Sequence, residues 1–121
     1  EAAGAHTIRV RCVTVDGYLE SLPDAASRID AVKLDIEGHE MAALRGMRRT
    51  VERHRPALLM EMNLPALAAA GVEAGEIGAW LKDLGYEARI VRRRGSPSPY
   101  DFRRHPEPVF NILATAPGRA G

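Results

Sequence analysis

Residues 31–36 (Ala-Val-Lys-Leu-Asp-Ile) and 57–62 (Ala-Leu-Leu-Met-Glu-Met) are short apolar runs, and the segment between them is patterned as a helix. Met41, Leu44, Met47 and Val51 recur at spacings of three, three and four, with arginines and Glu52 between them, which predicts one amphipathic helix over 40–53. Arg55-Pro56 ends it, because the residue before a proline is pushed out of the helical region. A strand, a helix and a second strand at this spacing form a parallel pair joined by a crossover, and crossovers of this kind are right-handed. Runs this apolar predict strands covered on both faces.

The remaining segments extend that unit. Residues 6–15 alternate, with Ile8, Val10 and Cys12 apolar and Arg9 and Arg11 polar, and predict a half-buried strand in which Cys12 is a small buried hydrophobe. A helical turn at 18–22 stops at Pro23, and 24–30 is a polar connector with room for a small helix. Asn63-Leu64-Pro65 reads as a break before an Ala-rich stretch to Ala70. Ile77, Trp80, Leu81 and Leu84 mark a second helix with Trp80 in the core, Gly78 is a weak point inside it, and Gly85 stands where a left-handed cap belongs. Residues 86–91 and 109–115 are strands. Between them, 92–108 is dense in Arg and Pro and predicts a long irregular loop. The order implies an α/β fold with a mostly parallel sheet and a last strand running antiparallel to the one before it.

With 121 residues the chain is one domain's worth and can bury roughly two-thirds of its unfolded surface. Its 17 basic and 16 acidic residues nearly cancel, so Arg92–Arg94, Arg103 and Arg104 around Tyr100 and Phe102 read as a solvated loop rather than a nucleic-acid stripe, with contact to an anionic group such as a phosphate or sugar acid as the second reading. The solitary Cys12 excludes a disulfide framework and fits a reducing, cytoplasmic setting. No apolar stretch approaches the roughly 18 residues of a membrane span, and no targeting segment is expected.

In open α/β sheets, ligands gather beyond the carboxyl ends of the strands. Asp35 is the penultimate residue of the first run, Glu37 follows in the turn, Glu40 opens the helix and Glu61 sits at the matching end of the second run. A carboxylate inside so apolar a run is costly unless something pairs with it. Glu37 and Glu40 are also where a helix dipole favours negative charge.

These residues fall in blocks: Val13-Thr14-Val15-Asp16-Gly17-Tyr18-Leu19, then Lys33-Leu34-Asp35-Ile36-Glu37-Gly38-His39-Glu40, then Leu44-Arg45-Gly46 and Pro56-Ala57-Leu58-Leu59-Met60-Glu61. The set resembles the FkbM-type methyltransferases, tightly from Val13 to Tyr86 and more loosely to Ala114. The resemblance implies a Rossmann-like class I methyltransferase fold and S-adenosylmethionine as cofactor. It implies transfer of a methyl group to a small-molecule or glycan hydroxyl of a sugar or polyketide-like metabolite, with no nucleic-acid or membrane partner. It implies that Asp35 lies beside the cofactor's methionine end or the acceptor hydroxyl, with Glu37 as neighbouring acid and His39 as a second candidate base. Glu61 would border the acceptor pocket, with Glu40 and Asn63 as further acceptor-binding residues.

One departure qualifies the resemblance. No two glycines lie two residues apart, so the glycine-rich turn that cradles the cofactor cannot be drawn anywhere in the sequence. The expectation is that residues 1–121 supply the fourth to seventh strands of such a domain without its cofactor-binding half, leaving 31–36 as an apolar sheet edge. Two other readings follow: a non-catalytic interaction module that keeps the sheet, or a hydrolytic metal site on Asp35, Glu37 and Glu40. The resemblance assigns no metal.

Overall fold

A computed structural model describes residues 4–24 and 28–117. In chain order its elements are α1 (Val15–Ser21), β1 (Ala31–Leu34), α2 (Glu40–Gly46), α3 (Arg48–His54), β2 (Ala57–Asn63), α4 (Leu64–Ala69), α5 (Ala74–Asp83), β3 (Glu87–Val91), β4 (Ser98–Pro99) and β5 (Val109–Thr115). They form a mixed α/β fold around one five-stranded sheet of order β1-β2-β5-β3-β4. The two apolar runs pair in parallel, from Ala31 opposite Ala57 to Leu34 opposite Met60. As expected, β5 runs antiparallel to β3, but it does so by inserting between β2 and β3. The sheet is therefore mixed rather than mostly parallel, because β2 and β3 share a direction without touching.

The core lies on one face of this sheet. Leu58, Met60 and Met62 of β2 and Ile112 and Ala114 of β5 are fully buried, and they join Met41, Leu44, Val51, Leu67, Ile77 and Leu81 from the helices. On the opposite face no described residue reaches full burial: Leu59 and Leu113 are half-buried, and Lys33, Arg89 and Asn111 are exposed. This corrects the expectation of strands covered on both sides. In β1 only Leu34 is buried.

Residues 6–14 form no strand. Ile8 and Val10 are 85% and 74% exposed, and Cys12 is an exposed thiol rather than a buried hydrophobe. Alternation specifies a strand only where a ladder partner exists, and β1 pairs with β2 alone among the described residues. The small helix allowed within 24–30 falls partly on 25–27, outside the described residues. No helix among the described residues is long and apolar enough to cross a membrane.

The helix expected over 40–53 is two helices. Met47 leaves the helical region (φ −121°, ψ 18°) and separates α2 from α3. The break exposes the first amides of α3, and Asp16, reaching across from α1, takes them. Its carboxylate accepts from the Arg49 and Thr50 amides (3.0 and 2.8 Å) and from the Thr50 hydroxyl (2.6 Å). This is an N-cap supplied from another element. Burial pushes the Asp16 carboxyl up, but the hydrogen bonds from Thr50 and Arg49 outweigh it and hold it below the usual aspartate range. Asp16→Asn should therefore lower unfolding stability by about 2 kcal/mol, read from urea titration at neutral pH. A group depressed in the folded state stabilises above its unfolded pKa and loses that contribution as pH falls through the folded value. The gap between wild type and variant should accordingly close on acidification.

Two further segments depart from the expectation. Asn63-Leu64-Pro65 is a helix start: the Asn63 side chain accepts from the Ala66 amide (3.1 Å), and a proline costs nothing in a first turn. Within 92–108, Ser98–Pro99 add a short strand to β3, and Tyr100 buries against Phe102 and Phe110. Gly78 has a purpose there, since a Cβ at that position would meet the Phe102 ring at 2.7 Å.

Candidate active site at the ends of β1 and β2

Parallel pairing brings the carboxyl ends of β1 and β2 side by side, and continuing the register one step past Leu34 and Met60 sets Asp35 beside Glu61. Glu37, from the turn that follows, completes the group. Carboxylate oxygens of Asp35, Glu37 and Glu61 all lie within 4.8 Å of one another. Asp35 and Glu37 are exposed and Glu61 is half-buried. The Glu61 carboxyl is pushed above the usual range, first by desolvation and then by the negative charges of Asp35, Glu37 and Glu40, with Lys33 opposing them. Such a site favours a cation or a shared proton.

The turn itself is wound tightly. Glu37 and Gly38 both have positive φ, 54° and 98°, and left-handed backbone is unfavourable for a residue with a side chain. Glu40 holds this geometry. It is 1% exposed, and its two carboxylate oxygens accept from the Ile36 amide (3.1 Å) and the Gly38 amide (3.0 Å). The residue expected to bind an acceptor thus lies beneath the loop and positions it, which also removes it from the metal set of Asp35, Glu37 and Glu40. The carboxylate group that does form has Glu61 in its place.

Asn63 ties the two strands' loops together. While its oxygen caps α4, its Nδ2 donates to Glu37 Oε2 at 3.2 Å. His39 occupies the N-cap position of α2 without a capping hydrogen bond, is exposed, and is not a member of the carboxylate group. Asn111, opposite Glu61 on β5, is a polar neighbour that the apolar pattern of 109–115 concealed.

A family model described as the methyltransferase FkbM domain matches residues 1–88. The chain belongs to the FkbM methyltransferase family. The match covers the whole carboxylate site and ends within β3, so β4, β5 and the loop before β5 lie beyond it. No curated protein and no solved structure matches the chain. Within this FkbM domain, two of the blocks that carry the resemblance build the site, one supplying the turn with Asp35 and Glu37 and the last Glu61, while the first supplies Asp16, which caps α3.

Proposed function

We propose that this chain carries the acceptor side of an S-adenosylmethionine-dependent O-methyltransferase with a Rossmann-like fold, acting in the cytoplasm on a hydroxyl of a sugar, glycan or polyketide-like metabolite. The observation that carries this reading is the convergence of Asp35, Glu37 and Glu61 at the ends of two parallel strands in an FkbM domain. The antiparallel β5, the reversal expected from the order of the elements, is compatible with a methyltransferase-like fold.

When bound, S-adenosylmethionine supplies a methyl group on a positively charged sulfonium. The donor set here suits the cationic methionine end of that molecule, because the three carboxylates converge and the charges around Glu61 are predominantly negative. Asp35 faces the reacting groups and orients the acceptor hydroxyl. Glu37, fixed by Asn63, is the neighbouring acid that takes up or relays the hydroxyl proton, and Glu61, with its raised pKa, accepts a proton more readily than an ordinary carboxylate. His39 stands near the loop as a second base.

The test is methyl transfer by the full-length protein from labelled S-adenosylmethionine to a panel of hydroxyl acceptors. Asp35→Asn and Glu37→Gln should each reduce turnover roughly 100-fold or more with the circular dichroism spectrum unchanged. Full turnover in both variants would reject these roles. The alternative reading, an interaction module without catalysis, draws on the missing glycine-rich turn, and it predicts no calorimetric heat with S-adenosylhomocysteine.

A further inference from the structure

The entrances of β1 and β2 are tied together by a side chain that belongs to neither strand. His54 is the last residue of α3, Ile29 lies just ahead of β1, and the Ile29 amide donates to His54 Nδ1 at 3.2 Å. Both residues are half-buried. Next to this contact the Ala57 amide donates to the Asp30 carbonyl at 2.9 Å, immediately before the first rung of the ladder, Ala31 opposite Ala57.

The direction of the histidine bond is fixed by chemistry. A backbone amide carries its proton permanently, so Nδ1 has to be the acceptor, and the imidazole is neutral whenever the bond exists. Protonation places a second N–H on Nδ1, facing the first. The bond then has to break.

The surroundings of the ring offer the charged form little in exchange. Asp16 and Glu20 from α1 and Arg49 and Arg53 from α3 share a small hollow with His54, and Arg28 and Asp30 flank Ile29. Each carboxylate in this set is already engaged. Asp16 accepts from the Arg49 and Thr50 amides and the Thr50 hydroxyl, Glu20 pairs with Arg49 at 2.7 Å, and Asp30 pairs with Arg28 at 2.6 Å. Arg55, the residue after His54, lies over the Tyr86 ring, 4.9 Å from its centre. What remains for an imidazolium is the carbonyl end of α3, where the helix dipole favours a cation. Those carbonyls stabilise the ring on the helix and give the segment at Ile29 nothing to hold.

We propose that His54 and Ile29 form an acid-sensitive latch, which holds residues 28–30 against the end of α3 while the imidazole is neutral and releases them when the ring takes up a proton. An unperturbed imidazole titrates around pH 6.5, so the device works within a physiological interval. Because 28–30 lead directly into β1, opening frees the approach to the strand that Asp35 follows and leaves the β1–β2 ladder in place. This inference concerns the scaffold and does not depend on the methyltransferase reading.

Amide hydrogen exchange on the nitrogen-15-labelled full-length protein tests it, with every rate divided by that of an unfolded chain at the same pH. Protection of the Ile29 amide should fall about tenfold or more between about pH 8 and about pH 5, while the Met60 amide within β2 keeps its protection. Long-range nitrogen-15 spectra of the imidazole should show His54 gaining its proton over the same interval. His54→Asn, whose side chain does not titrate, should abolish the pH dependence at Ile29. His54→Leu, which offers no acceptor, should leave Ile29 about tenfold less protected than in the wild type at the higher pH and insensitive to acidification. Unchanged protection of Ile29 across the interval, an equal fall at Met60, or the same pH dependence in His54→Asn would overturn the proposal.

Discussion

Gly38→Ala is expected to cost about 3 kcal/mol or more of stability, combining the penalty of left-handed backbone with overpacking against a rigid neighbour. A Cβ at this position would stand 2.4 Å from the Ala66 carbonyl oxygen and 2.7 Å from its carbon, and both belong to the backbone of α4. Backbone cannot swing aside as a side-chain tip can. At φ 98° the added methyl group is also strained whatever the space around it. The loop would have to lift off α4, carrying Glu37 away from Asn63, so methyl transfer should fall even in the fraction of molecules that stay folded. A loss of unfolding free energy below about 0.5 kcal/mol in urea titration would show that the loop does not sit against α4 as described.

Glu40→Ala should be comparably severe, at about 4 kcal/mol, because two hydrogen bonds to one buried carboxylate are worth roughly 2 kcal/mol each. The Ile36 and Gly38 amides lose their acceptor, and the Gly38 amide is buried, so water does not readily replace it. Glu40→Gln keeps the shape and one acceptor oxygen, and should recover about half of that loss. The comparison separates positioning from chemistry. If Glu40 serves by holding the turn, the activity of Glu40→Gln should track its folded fraction, whereas a direct role on substrate would abolish activity at full folding.

The sequence was most informative where one period dominated. Ile77, Trp80, Leu81 and Leu84 announced α5, and Gly85 closes it with φ 76° as its position implied. Asp35 and Glu61 stood out because each interrupts an apolar run, and parallel pairing brings them together. What stayed hidden depends on contacts distant in sequence. Met41, Leu44, Met47 and Val51 keep one apolar stripe across α2 and α3, so periodicity alone could not disclose the break at Met47. Asp16 caps α3 from 33 and 34 residues away, a distance no local pattern registers. Glu40 looked like a rim acid, since a buried carboxylate and an exposed one read alike until its amide partners are seen. Pro65 and the prolines of 92–108 suggested disruption, yet one sits in a helical first turn and Pro99 extends the sheet edge.

The division of labour along β2 has a practical consequence. Its even-numbered residues Leu58, Met60 and Met62 serve the interior, and its odd-numbered Leu59 and Glu61 look the other way. Exchanging Glu61 for another side chain therefore leaves the hydrophobic foundation intact, which makes this strand a place where new reactivity can be installed by engineering or by descent without first redesigning the scaffold.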